Sequence, residues 1–264
     1  MCRWAAWRGK PVFLEEIIAR PKHSLIAQSN GSKHAASPTH GDGFGVAWYG
    51  ERAEPGLYRD ILPAWSDRNL KSLAGQIRSP LFLAHVRAST HGATARENCH
   101  PFVNGRWSFM HNGHVGEFAR LERRLESHLS NMLYQRREGA TDSELLFLLA
   151  VQMGLTRDPA GALSAVVALV AEEAAVIGVR ASIRLSCAFS EGQTLYGLRY
   201  ANDGDAPSLF IGESEAGVAL VSEPFEHAEK DWRAVPAQCF IAVNERGASV
   251  RRFDPLESTL ALTG

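Results

Sequence analysis

The second residue of the chain is a cysteine, and the small side chain after the initiator methionine permits removal of Met1. Processing would leave the Cys2 thiol and a free α-amine on one residue. An α-amine titrates near roughly 7.7–8.0 and accepts a thiol proton at cellular pH, whereas a lysine near about 10.4 stays charged. Nucleophile and base then sit together, which suits acyl transfer. From position alone a plainer reading stands equally: Cys2 as a small apolar residue that opens a strand.

A second constellation is His85-Val86-Arg87-Ala88-Ser89-Thr90-His91-Gly92, which leaves a strand-like run and enters a polar loop. The planar fork of Arg87 matches a carboxylate in bidentate fashion, and Ser89, Thr90 and Gly92 let the backbone come close to a small ligand. The bland alternative for Arg87 is a structural ion pair. A third is His111-Asn112-Gly113. There the Asn amide and the Gly N–H could aim two donors at one oxygen, as an oxyanion hole requires. Against this, Asn-Gly is the strongest hairpin dipeptide, so a tight turn is the competing expectation. Asp142 lies at the start of a predicted helix, where the macrodipole alone would account for a carboxylate. It is also placed to bind an ammonium group, with Thr141 left to serve as the cap.

These residues need elements to hold them. Strand-like runs are predicted at CRWAAW, FGVAWYG, PLFLAHVRA and RWSFMHNG, and again at SIRLSCAFS, TLYGLRY, SLFIG, GVALVSE, QCFIAVN and ASVRRF, each bounded by turn residues. Helices are expected over PVFLEEIIAR, with Pro11 at the first helical position, and over SDRNLKSLAGQI behind a Ser-Asp cap. Thr141-Asp142-Ser143-Glu144 matches a capping box ahead of the apolar LLFLLAVQMGL, and another helix is expected from about Pro159 to Val179. Strands, then helices, then strands again imply two sheets with helices packed outside them, an α+β layered sandwich. With no repeat and no dividing linker, residues 1–264 are expected to form a single domain.

A net charge of -1, from 28 basic and 29 acidic side chains, provides no field for nucleic acid or an anionic membrane. No signal peptide and no apolar run approaching the roughly 18 residues of a membrane span is read, so the expected location is cytoplasmic. Cys2, Cys99, Cys187 and Cys239 show no CxxC pair, and Cys99, Cys187 and Cys239 are read as packing residues, Cys99 adjoining His100 near the polar loop.

Taken in order, Met1-Cys2, RASTHG at 87–92, Asn112-Gly113 and Asp142, with HGDGFGVAWY at 40–49 and ENCHPF at 97–102, resemble the class-II glutamine amidotransferases of the N-terminal-nucleophile hydrolase superfamily. The resemblance implies a four-layer αββα sandwich of two mostly antiparallel sheets between helical layers. It implies Cys2 as nucleophile, Asn112 and Gly113 as oxyanion hole, Arg87 and Asp142 binding the two ends of the amino-acid substrate, Thr90 and His91 lining the pocket, and Asp42 and Gly43 as structural. It further implies glutamine or another γ-glutamyl amide as substrate. No organic cofactor and no metal are called for. The likeness is specific over roughly residues 1–150 and weaker through VSEPF at 221–225. No second catalytic domain is expected within the 264 residues, so the chain is similar to the free-standing type, including the γ-glutamyl hydrolase of ergothioneine biosynthesis. Ala88-Ser89 stand where these enzymes often carry a Trp after the Arg, which changes pocket shape.

Two rivals carry different tests. His85, His91, His100, His111 and His114 could supply imidazoles to a metal, but the acidic ligands and the HExxH spacing of hydrolytic metal sites are missing. A non-catalytic γ-glutamyl sensor, or a subunit passing ammonia to a partner protein, would share the pocket residues. Assembly into a homo-oligomer is left open.

Overall fold

The computed structural model describes residues 2–31, 39–88, 93–225 and 232–255. In chain order the elements are β1 (Arg3–Phe13), α1 (Glu15–Ile18), α2 (Leu25–Asn30), β2 (Phe44–Tyr49), β3 (Gly56–Asp60), α3 (Arg68–Ala74), β4 (Arg78–Val86), β5 (Phe102–Asn104), β6 (Trp107–Val115), α4 (Phe118–Glu126), α5 (Asn131–Tyr134), α6 (Asp142–Gln152), α7 (Pro159–Val176), β7 (Ile183–Ser190), β8 (Leu195–Ala201), β9 (Phe210–Ser214), β10 (Gly217–Val221), β11 (Trp232–Ala234), β12 (Cys239–Asn244) and β13 (Gly247–Arg252). Among the described residues they form a seven-stranded sheet, ordered β11-β9-β10-β1-β4-β2-β3, and a six-stranded sheet, ordered β13-β12-β8-β7-β6-β5. Every neighbouring pair is antiparallel.

Strand side chains alternate between faces, and three apolar layers follow from that alternation. Trp4, Ala6, Leu81 and Leu83 of the first sheet meet Met110, Ala188, Ile241 and Val243 of the second. Their neighbours Ala5, Trp7, Phe82, Ala84 and Val86 turn outward onto Ile18, Leu25, Leu70 and Ala74 of α1 to α3. On the far side, Phe109, Leu185, Phe189 and Phe240 turn onto Leu121, Leu145, Leu149, Val166 and Val170 of α4, α6 and α7. The result is the αββα sandwich expected from the sequence. A one-residue slip of β1 would exchange Trp4 and Ala6 for Ala5 and Trp7 between the sheets, so the packing fixes the register and with it the placement of Cys2.

Four sequence expectations need correction. PVFLEEIIAR is not one helix: residues 11–13 complete β1, and only Glu15–Ile18 is helical. Pro11 lies where the β1–β4 register shifts between Arg8 and Val12, an irregularity in which a residue without an N–H is tolerated. The capping box is half formed. Thr141 Oγ1 accepts from the Glu144 N–H at 3.2 Å, but the Glu144 carboxylate reaches past the cap to the N–H groups of Glu138 and Gly139, at 2.9 and 2.7 Å. The hairpin alternative for Asn112-Gly113 fails, because both residues lie inside β6, opposite Ser186 and Leu185 of β7. Finally, α7 is long and apolar enough to cross a membrane, against the expectation that no run approaches that length. Its Ala162, Leu163, Val166 and Val170 belong to the outer core, and its Glu173 pairs with Arg124 and His128, so here it is a core helix.

Candidate active site

Cys2 stands immediately before β1, half-buried, at the edge of the space between the sheets. The Arg3↔Val86 register sets it beside the segment that follows β4, and its thiol faces the Ala88 carbonyl oxygen at 3.6 Å. Burial raises the Cys2 thiol pKa above its ordinary value, an effect opposed by the positive charge of Arg87 and Arg3. Burial thus favours the thiol over the thiolate, the reactive form of a cysteine.

Arg87 is buried and its backbone is clamped: its N–H donates to Gly43 O at 2.8 Å, and its carbonyl accepts from the Asp42 N–H at 3.1 Å. The guanidinium Nη1 lies 3.5 Å from both Asp42 O and Ala93 O. Gly43 is required there. Its φ is +111°, and a Cβ would come within 2.5 Å of Cys99 Sγ and 2.8 Å of Asp60 O. Thr90 and His91 lie outside the described residues.

Asn112 is buried in β6, and its Nδ2 has no hydrogen-bond acceptor among the described residues. It alternates with His111 and shares the inter-sheet face with Met110. Trp4 of β1 crosses that space and donates its indole N–H to Ser186 O at 3.2 Å, and Ser186 is the residue opposite Asn112. A buried amide donor without a protein partner is costly, and native structures keep one mainly where something else accepts from it. At Gly113 there is no room for a side chain, since a Cβ would lie 1.8 Å from Arg184 O.

Asp142 is tied to the same strand. Its Oδ2 accepts from the Val115 N–H at 2.9 Å, and its Oδ1 accepts from Ser143 Oγ at 3.1 Å. Ser143 Oγ lies 2.8 Å from His111 Nδ1, whose ring also reaches Arg184 O through Nε2 at 3.1 Å. The structure therefore joins Cys2 to Arg87 at the end of the first sheet, and Asn112, Gly113 and Asp142 at the end of the second. His85 connects the halves: its ring packs at a 32° tilt against His100, with centroids 4.2 Å apart, and lies against the His111 backbone. Burial holds His85 at a pKa of about 3, and likewise pushes His100 down, so both are neutral. Among the described residues no three His, Cys, Asp or Glu side chains converge as a metal site.

Reading the sequence missed the residues that place these groups. Asn98 accepts from the Ala140 N–H at 2.9 Å and donates to Ala93 O at 3.0 Å, which bridges Ala93 to the turn before α6. It sits in the string ENCHPF, yet nothing in its type or spacing announces a bridge. Ser143 is in the same position, and His111, read only beside Asn112-Gly113 and as a possible imidazole ligand, gave no sign of its link to α6. Cys99 and Cys187 are buried free thiols, Cys239 is half-buried and free, and burial raises Cys99 to about 11.

A family model for class-II glutamine amidotransferases matches residues 19–235. The solved structure of a glutamine aminotransferase class-II domain protein from Silicibacter pomeroyi is 41% identical with a TM-score of 0.77, over 96% of this chain and 100% of that one. The probable glutamine amidotransferase DUG3 of Saccharomyces cerevisiae is 42% identical over 158 residues, 56% of this chain and 44% of the yeast protein, so the chain covers less than half of that relative's length. The γ-glutamyl-hercynylcysteine sulfoxide hydrolase of Mycolicibacterium smegmatis is 27% identical over 249 residues, 93% of this chain and 96% of that protein.

Proposed function

This chain belongs to the class-II glutamine amidotransferases and is an enzyme, and from that premise we propose that it hydrolyses a γ-glutamyl amide through Cys2. In this reading residues 1–264 act as one catalytic unit in the cytoplasm. Met1 is removed, and the freed α-amine takes the Cys2 thiol proton. The thiolate attacks the γ-carbonyl carbon, and the Asn112 amide with the Gly113 N–H stabilises the oxyanion. As the tetrahedral adduct collapses, the C–N bond breaks and the leaving amine departs with the proton from the α-ammonium. Water, activated by the same α-amine, then cleaves the γ-glutamyl thioester, which releases glutamate and restores the thiol. Arg87 binds the substrate α-carboxylate, Asp142 its α-amine, and Thr90 and His91 line the pocket. No step calls for a metal or an organic cofactor.

The observation that carries this reading is the buried Asn112 amide without an acceptor among the described residues, on the strand that Asp142 holds from the other side. The preference for hydrolysis over delivery of ammonia to a partner protein is supported by the likeness to a γ-glutamyl hydrolase along 93% of the chain. The test is glutamate release by processed protein from glutamine and from a panel of γ-glutamyl amides and peptides, with Cys2→Ala as control. Cys2-dependent release, faster for a substituted amide than for glutamine, is expected. A Cys2→Ala variant with wild-type turnover would overturn the mechanism, and faster release from glutamine than from every amide would overturn the substrate preference.

A further inference from the structure

A nucleophile at the very start of a chain has a structural problem, because chain termini fray unless they are tied down. In this protein residues 3 and 4 pair with β4, and a second tie is a buried ionic cluster that the mechanism above does not use. Arg3 and Glu223 are both about 1% exposed, and Arg3 Nε donates to Glu223 Oε2 at 2.7 Å. The other carboxylate oxygen, Oε1, lies 2.5 Å from His23 Nε2. Gln28, buried on α2, locks the back of the cluster by donating from Nε2 to His23 O at 2.9 Å and to Glu223 O at 3.2 Å. A second nitrogen of the Arg3 guanidinium, Nη1, donates to the Cys2 carbonyl at 2.9 Å.

The neighbouring residues complete the clamp. The β1–β10 ladder ends at Ala5↔Val221. Beyond it, Ser222 takes over: its Oγ accepts from the Trp4 N–H at 2.9 Å, and its own N–H donates to Trp4 O at 3.0 Å. Ser222 and Glu223 thus hold residues 3 and 4 on the β10 side, where that ladder has ended, while β4 still pairs with them on the other side through Arg3↔Val86 and Trp4↔His85. The Cys2 carbonyl is fixed by Arg3, and its thiol rests against Ala88 O.

A buried ion pair is weak evidence of stabilisation, since well-packed apolar residues of the same volume often do as well. What an apolar pair cannot do is hold a planar fork that grips a carboxylate with one edge and a carbonyl with the other. We propose that Arg3 and Glu223 are positioning residues, through which the body of the fold sets the orientation of the Cys2 main chain and thereby aims its thiol at the scissile carbonyl. This rests on the reading of Cys2 as nucleophile. A displacement of about 1 Å at a reacting group costs on the order of 100-fold in rate. Arg3 also adds positive charge beside the thiol, in the direction that favours the thiolate.

The experiment is the double variant R3M/E223Q, which removes both charges together and leaves an amide to meet His23, assayed for kcat, KM, thermal midpoint and the rate of Cys2 alkylation by iodoacetamide. Glu223→Gln alone is measured in parallel, with turnover expressed per alkylatable Cys2, so that a poorly folding double variant does not end the test. The expected result is a kcat lowered at least about tenfold, KM within about threefold and an altered alkylation rate, in protein that melts cooperatively. Folded variants with wild-type kcat and alkylation rate would overturn the inference while a dead Cys2→Ala control keeps the nucleophile in place. Should Cys2→Ala itself turn over normally, the underlying reading is what fails.

Discussion

The Val115 N–H donates to Asp142 Oδ2 at 2.9 Å, so the first residue of α6 is bonded to the last residue of the strand that carries Asn112 and Gly113. The carboxylate proposed to bind the substrate amine is thereby held at a fixed distance from the proposed oxyanion donors. Asp142→Asn separates charge from geometry, because the amide oxygen can still accept from Val115. It is expected to raise KM by roughly 10–100-fold, the worth of a hydrogen bond to a charged group, with kcat little changed. Steady-state kinetics decide this, and an unaltered KM would remove Asp142 from substrate binding.

Asn112→Ala is expected to lower kcat by roughly 10²–10³ while KM moves little. Because Asn112 Nδ2 already lacks an acceptor among the described residues, the substitution deletes an unpaired donor, and denaturant unfolding should show the same stability as wild type or slightly more. A large loss of stability would mean that the amide is held by the fold and not kept for a substrate.

Gly113→Ala should fail for a different reason. A Cβ at this position would lie 1.8 Å from Arg184 O and 2.5 Å from His111 Nε2, and the first of these is backbone of the paired strand β7. Relief requires separating β6 from β7, at a cost of about 3 kcal/mol or more, which corresponds to roughly 6–12 °C in the thermal midpoint for a chain of this size. Calorimetry showing a wild-type midpoint would contradict the backbone path of β6.

Stability should fall steeply in mild acid. Burial lowers the pKa of His85 to about 3 and also lowers those of His100 and His111, the last against the pull of Asp142. These folded-state values lie below the unfolded one near 6.5, so at lower pH the unfolded chain takes up protons that the folded chain refuses. The stabilisation is complete above about pH 6.5 and is lost as the pH falls below it, for His85 down to about 3, by about 1.4 kcal/mol per pH unit for each histidine that stays neutral. Denaturant titrations at pH 7 and pH 5 measure it directly, and identical midpoints would show that the three imidazoles titrate normally in the folded protein.

Much of the fold was legible because apolar alternation is a local property. CRWAAW and PLFLAHVRA became β1 and β4, RWSFMHNG became β6, and Thr141 and Pro159 mark the starts of α6 and α7. What escaped was decided by partners distant in sequence. Residues 11–13 joined a strand because Ser79 and Arg78 were there to pair with Val12 and Phe13, and the Glu144 side chain left its cap because the N–H groups of Glu138 and Gly139 lay within reach. The amphipathic α4, with Leu121 and Leu125 buried, starts without a side-chain cap and so carries no local start signal.

By itself the sequence determined the chemical inventory: a cysteine at position 2, an arginine followed by a polar loop, an Asn-Gly pair and a carboxylate at a helix start, in an order specific enough to name a family. Only the tertiary structure decided how they are held. Asn112-Gly113 lies in a strand and not a turn because β7 pairs along its length, and Cys2 is anchored because Arg3 finds Glu223 across 220 residues of chain. Side-chain type and periodicity are written along the chain, whereas a buried hydrogen bond depends on which distant donor the packing of two sheets brings within 3 Å, and no local pattern records that distance.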